Sequence, residues 1–187
     1  MVLFIDTHGS LITIALKNND KLYVKTKESE YSHSVFTMPM IKEIFNENNF
    51  DINDLKKIIV VNGPGSFTGI RIGVSIAKTM AYALNICINT ISSLTAYLIS
   101  SYLNENKMSV IEDNKGYYVS VFDKNNNIII PEEYVEELDY KYNIVENKLD
   151  IGKIINYCED IPCEKVHEVK ARYIKKIEVE KWLLEKK

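Results

Sequence analysis

The chain has 187 residues, 46% of them hydrophobic and 26% charged, and carries a formal net charge of −3. That size accommodates one large domain or two small ones around a useful core. The acidic balance argues against a broad basic surface that would hold RNA unaided, since phosphate neutralisation dominates such affinity, and no stretch approaches the roughly 18 apolar residues that span a bilayer.

In chain order, the opening Met-Val-Leu-Phe-Ile-Asp reads as a strand over Val2 to Ile5 rather than a signal peptide. Leu11 to Leu16 and Lys21 to Thr26 form a hairpin around Asn18-Asn19-Asp20, residues that tolerate left-handed backbone. Ser34 to Asn48 has helical periodicity, with Ser32 or Ser34 as N-cap. Lys57 to Asn62 is a β-branched strand, Gly63 to Gly69 a glycine-punctuated loop, and Ile70 to Leu84 a helix. Ile86 to Ile91 is a strand and Ser93 to Leu103 a helix. Strands alternating with helices predict parallel pairing in an α/β fold.

A second part begins near Lys107, with strands over Met108 to Glu112, Tyr117 to Phe122 and Ile128 to Ile130. The remainder is charged and less periodic; Glu164 to Glu168 and Glu178 to Lys186 are its helical candidates. Asp6 and Gly9 match Asp113 and Gly116 at a constant offset of 107, which also pairs Thr13 with Ser120 and Asn18 with Asn125. Two copies of a βββ unit, the first completed by αβα elements, describe duplicated subdomains of the actin/hexokinase-like (ASKHA) type, divided into 1–105 and a shortened 106–187.

The most specific string runs from Asn62 through Gly63-Pro64-Gly65-Ser66-Phe67-Thr68-Gly69-Ile70-Arg71-Ile72-Gly73. It leaves a strand and enters a helix whose free N–H groups could meet an anion. It is neither a Walker A loop, which needs Lys-Ser/Thr after its last glycine, nor G-x-G-x-x-G. The alternative is a strand-to-helix turn capped by Ser66 and Thr68.

This string, continued by Ala77-Lys78, resembles the signature of the TsaB (YeaZ-like) family. Ile5-Asp6-Thr7, His33-Ser34 and Ile91-Ser92-Ser93-Leu94 are similar to that family's other N-terminal segments. The match is dense to about residue 100 and thins beyond Lys107. The resemblance implies a cytoplasmic, non-catalytic, actin-like scaffold that binds a TsaD-like catalytic subunit through two N-terminal helices. A TsaE-like ATPase then assists threonylcarbamoyl transfer to adenosine beside the tRNA anticodon, with tRNA met through the complex. It leaves open a homodimer of the free chain and ATP or ADP at the complex interface; the chain alone is expected to hold no cofactor or metal.

The residues bear on that expectation. His8, His33 and His167 lack the His-x-x-x-His spacing that places two metal ligands on one helix face, which argues against a zinc protease. Cys158, Cys163 and His167 offer three zinc ligands in no standard spacing. With Cys87 the cysteines number three, which suggests a reducing compartment. Asp6 and Asp113 end equivalent strands, where an ATP-dependent small-molecule kinase of this fold would position metal and phosphate. That kinase is the rival reading, and the turns after both residues fit it poorly.

On a helical wheel the two helices carry apolar arcs wider than one sheet requires. Phe36, Met40 and Ile44 on the first, with Gly73, Ala77 and Met80 on the second, are the candidate partner face; the alternative is that they pack only on their own sheet. Arg71 is one of only two arginines in a chain that otherwise uses lysine. It opposes the helix dipole in the first turn, so a carboxylate or phosphate partner is expected.

Overall fold

The computed structural model describes residues 1–29 and 32–175. A five-stranded sheet has the order β3-β2-β1-β4-β5. Here β1 is Val2–Asp6, β2 Leu11–Asn18, β3 Lys21–Glu28, β4 Lys57–Val61 and β5 Cys87–Ile91. β1 to β3 form an antiparallel meander, and β4 and β5 run parallel to β1. Helices α1 (His33–Glu47) and α2 (Phe67–Leu84) make the crossovers into β4 and β5.

Pleating decides the two sides of this sheet. Leu3, Ile5, Ile12, Ile14, Ile58 and Val60 face α1 and α2 and share their core with Ile41, Ile44, Val74 and Ala77. Phe4, Ala15, Ile59 and Val61 face the other way. They meet Ala96 of α3 (Ser93–Ser100) and Ile151, Ile154, Ile155 and Cys158 of α4 (Ile151–Glu159). Apolar residues at i, i+3, i+4 and i+7 behind the N-cap Asp150 make α4 a helix.

A second, four-stranded sheet has the order β8-β7-β6-β9, from β6 (Lys107–Asp113), β7 (Gly116–Phe122), β8 (Ile128–Val135) and β9 (Asn143–Ile144). β6 to β8 repeat the meander and β9 repeats the parallel addition next to β6. The fold is therefore α/β of the actin-like kind, with the second copy reduced.

The structure corrects several details of the sequence reading. The offset of 107 holds for β1 and β6, which end at Asp6 and Asp113, but fails beyond them. Asp6 pairs with Thr13 across its hairpin, whereas Asp113 pairs with Gly116. The second hairpin loop is thus four residues shorter, and Gly116 rather than Ser120 stands opposite the aspartate as Thr13 does. α3 stops at Ser100, where Ser101 turns to extended backbone. β8 runs to Val135 through Pro131. Residues 166–168 form only a turn, and the helix expected over 178–186 lies outside the described residues.

Candidate functional site

The β1–β2 loop and the start of α2 are built against each other. The Ser66 hydroxyl accepts from Gly69 N at 3.2 Å and caps the helix. Ser66 N donates to the His8 carbonyl at 2.7 Å, and Thr7 Oγ1 donates to the Gly69 carbonyl at 2.7 Å. A Cβ at Gly65 would overlap the His8 carbonyl, and one at Gly69 or Gly73 would overlap Thr7. The glycines therefore serve close approach of two backbones. Ser66 caps as the sequence suggested; Gly65, Ser66, Phe67, Thr68 and Arg71 form an exposed rim, while Gly63 is buried.

Beneath this rim lies a buried polar relay. Asp6 Oδ1 is 2.6 Å from His8 Nδ1 and accepts from His8 N at 3.0 Å. His8 Nε2 is 2.8 Å from the hydroxyl of Tyr97 on α3. Burial pulls the His8 pKa down, but the charge and hydrogen bond of Asp6 together outweigh it and raise it above the usual imidazole value. Burial, then the Asp6 charge, pushes the Tyr97 phenol up. His33 Nε2 sits 2.8 Å from the Gly9 carbonyl, so the first two histidines brace one loop. A cleft of about 400 Å³, lined by Asp6, His8, Ser10, Thr13, Tyr97 and Lys148, opens beside them.

Asp113, the counterpart of Asp6, is held differently. Lys175 Nζ donates to its carboxylate at 2.8 Å and to the Tyr134 hydroxyl at 3.0 Å. That hydrogen bond, more than any other cause, holds the Asp113 pKa below the usual carboxylate value. Each of the two strand-end aspartates is thus engaged by a basic side chain of its own chain, His8 for Asp6 and Lys175 for Asp113.

A strap of residues 161–175 crosses from the first sheet to the second. Cys163 is disulfide-bonded to Cys87 at the start of β5. Glu164 N donates to the Ile88 carbonyl at 2.9 Å, Asn89 Nδ2 to the Pro162 carbonyl at 2.7 Å, and Arg172 N to the Asn62 carbonyl at 2.8 Å. Arg172 Nε faces Glu132 Oε2 at 3.1 Å. The other Glu132 oxygen accepts from Ser92 and Thr95 at the head of α3. Arg71 donates from Nε to the Tyr173 hydroxyl at 2.7 Å and lies 3.7 Å above the Phe67 ring. A cleft of about 750 Å³ between the strap and α2 is lined by Asn62, Arg71, Lys78 and Arg172.

The structure therefore brings both arginines to the glycine loop, a proximity that their separation in sequence concealed. The cysteine reading is corrected. Cys87 and Cys163 are linked and Cys158 is a buried thiol, so the Cys158–Cys163–His167 trio is not a ligand set. Among the described residues no group of three or more His, Cys, Asp or Glu side chains could hold a metal ion, and no helix is long and apolar enough to cross a membrane. Tyr97, Glu132 and Lys175 were missed; a phenol, a carboxylate and a lysine without motif carry no signal of spatial proximity.

The partner-face residues are distributed unequally. Met40, Ile44, Ala77 and Met80 are buried in the first core and Gly73 beneath them is covered, while Phe36 is half-buried. The large exposed hydrophobic side chains of the two helices are Val35 and Met38 on α1 and Phe67 and Tyr82 on α2.

Fold and site together define an actin-like α/β protein whose glycine string closes the loop after its first strand. The family described as TsaD, tRNA N6-adenosine threonylcarbamoyltransferase, matches residues 24–138. The chain belongs to this family, and within it is TsaB/YeaZ-like. The tRNA threonylcarbamoyladenosine biosynthesis protein TsaB of Bacillus subtilis is 42% identical over 94 residues, which are 50% of this chain and 41% of that protein. The protein of the same name in Buchnera aphidicola subsp. Acyrthosiphon pisum is 26% identical over 183 residues, covering 93% and 82%. YeaZ from Pseudomonas aeruginosa superimposes with a TM-score of 0.80 at 15% identity, over 92% of this chain and 98% of that one, a likeness of fold.

Proposed function

We propose that the protein acts in the biosynthesis of threonylcarbamoyladenosine in tRNA, as a non-catalytic subunit that binds and activates a TsaD-like catalytic partner. The observation that carries the non-catalytic part is the engagement of Asp6 by His8 and of Asp113 by Lys175. A carboxylate that positions metal and phosphate works best without competing partners, and one oxygen of each is already engaged by a basic side chain of the chain, Oδ1 of Asp6 by His8 and Oδ2 of Asp113 by Lys175. The pathway is supported by family membership and by the TsaB relatives.

The partner surface in this reading is the outer side of α1 and α2. Val35 is 62% exposed, Met38 44% and Tyr82 67%. Val35 and Met38, one turn apart near the start of α1, suit a helix-pair contact, and methionine adapts to an irregular partner. Met40 and Ile44 support that surface from within, with Phe36 at its edge. Threonylcarbamoyl transfer then takes place on the partner, assisted by a TsaE-like ATPase, in the cytoplasm. Residues 1–105 and 106–187 serve as the two subdomains of the scaffold.

Size-exclusion chromatography with light scattering, run with the TsaD-like subunit from the same source, tests this. Wild type is expected to co-elute with that subunit and Met38→Glu to lose it while keeping its fold. The mass of the free chain reports whether the same face makes a homodimer. Absence of any complex, together with ATP turnover by the isolated chain, would overturn the scaffold reading.

A further inference from the structure

The strap that crosses both sheets has little apolar footing. Val169 is its one fully buried hydrophobic residue, helped by the half-buried Ile161, Val166, Ala171 and Ile174. Its other attachments are hydrogen bonds, ion pairs and ring contacts; those of the Arg172, Tyr173 and Glu164 side chains are exposed, the kind of contact that opens at low free-energy cost. The Cys87–Cys163 disulfide is its covalent tie to the first sheet. Cys163 is exposed and Cys87 half-buried, so the bond stands where a reductant can reach it.

What the strap holds makes the bond consequential. Downstream of Cys163, Arg172 faces Glu132 of the second sheet, Tyr173 accepts from Arg71 at the start of α2, and Lys175 binds Asp113 and Tyr134. Release at residue 163 loosens contacts to α2 and to the second sheet together.

We propose that the Cys87–Cys163 disulfide is a redox-sensitive clasp, opened by a dithiol reductant, that sets whether residues 161–175 stay fastened across the two sheets. In the opening step a reductant thiolate attacks the exposed Cys163 Sγ. The S–S bond breaks, Cys87 leaves as a thiolate and takes up a proton. The second thiol of the reductant then attacks the mixed disulfide and releases Cys163 as a thiol. Two electrons pass to the protein, and the reductant is left as its own disulfide. Cys158 takes no part: it is buried, and burial pushes its thiol up to about 11.

Hydrogen exchange read by mass spectrometry on the full chain, with and without dithiothreitol, tests the clasp. Differential alkylation fixes the starting state. Reduction is expected to raise exchange over 161–173 by more than about tenfold while the amides of β1 and β4 keep their protection. Cys163→Ser should reproduce this without reductant, and Cys158→Ser should not. Unchanged exchange on reduction overturns the proposal, as does finding Cys87 and Cys163 unlinked in protein kept free of reductant. A uniform rise over the whole chain also overturns it, because the bond would then staple the global fold rather than the strap.

Discussion

Asp6 Oδ1 and His8 Nδ1 share a hydrogen bond 2.6 Å long with almost no solvent around it; the two side chains are 3% and 10% exposed. The pair anchors the loop that the glycine string covers, and Tyr97 closes its far end. Because the folded state raises the His8 pKa, folding favours the imidazolium. Its contribution is complete below the unfolded value of about 6.5 and is lost as pH rises through the folded value. Urea unfolding should therefore show stability declining from about pH 6 upward, and His8→Asn should remove that part of the slope. Asp6→Asn removes both causes that raise the His8 pKa and leaves burial to keep the imidazole neutral; it is expected to cost about 2 kcal/mol at pH 6 and to abolish the same part of the slope.

Gly69 and Gly73 are predicted to fail by overlap, whereas Gly63 and Gly65 also hold positive φ. Gly69→Ala drives a methyl into the Thr7 carbonyl and should cost about 2 kcal/mol. Gly152→Ala in α4 meets only an ordinary contact with Asp150 Oδ1 at 3.4 Å. It should gain about 0.5 kcal/mol from helix propensity. Thermal denaturation of the two variants separates the cases by sign.

Reduction of the disulfide is expected to move the global denaturant midpoint little, because it frees the strap while β1 and β4 stay folded. Denaturant midpoints with and without reductant measure it. In the same samples Cys87 and Cys163 should alkylate in the folded reduced protein, and Cys158 only after unfolding.

Neighbouring methionines on α1 should behave oppositely. Met40 is 5% exposed and sits in the first core, so Met40→Ala is expected to cost about 3 kcal/mol. Met38→Ala, on the outer side, should change stability by less than about 0.5 kcal/mol. Chemical denaturation distinguishes them before any partner is added.

Much of the first sheet could be read directly. The apolar run of β1, the Asn turn between β2 and β3, and the cap Ser66 are local signals, and the structure uses each locally. The width of the apolar arcs on α1 and α2 was also visible. Its division into Met40 and Ile44 inside and Val35 and Met38 outside was not, because a wheel shows hydrophobicity without showing which side meets the sheet. α4 had the spacing Ile151, Ile154, Ile155 and Cys158 but only nine residues in a polar surrounding, too few turns to stand out. The constant offset misled beyond Asp113 because equal spacing of asparagines and glycines cannot register a four-residue shortening between paired strands. The Cys87–Cys163 bond and the Glu132–Arg172 pair are long-range, and one sequence contains no distance information about them.

The return of α4 and the strap to the first sheet has a consequence for where the chain can be cut. A fragment ending near residue 105 would contain all five strands of that sheet and the whole glycine string. It would lack Ile151, Ile154, Ile155 and Cys158, the side chains that cover Phe4, Ala15, Ile59 and Val61. One side of its sheet would be covered by α3 alone and otherwise expose hydrocarbon, a surface that seeks other copies of itself. The first βββαβα unit is thus a unit of topology but not of autonomous folding: it is completed from the opposite end of the sequence.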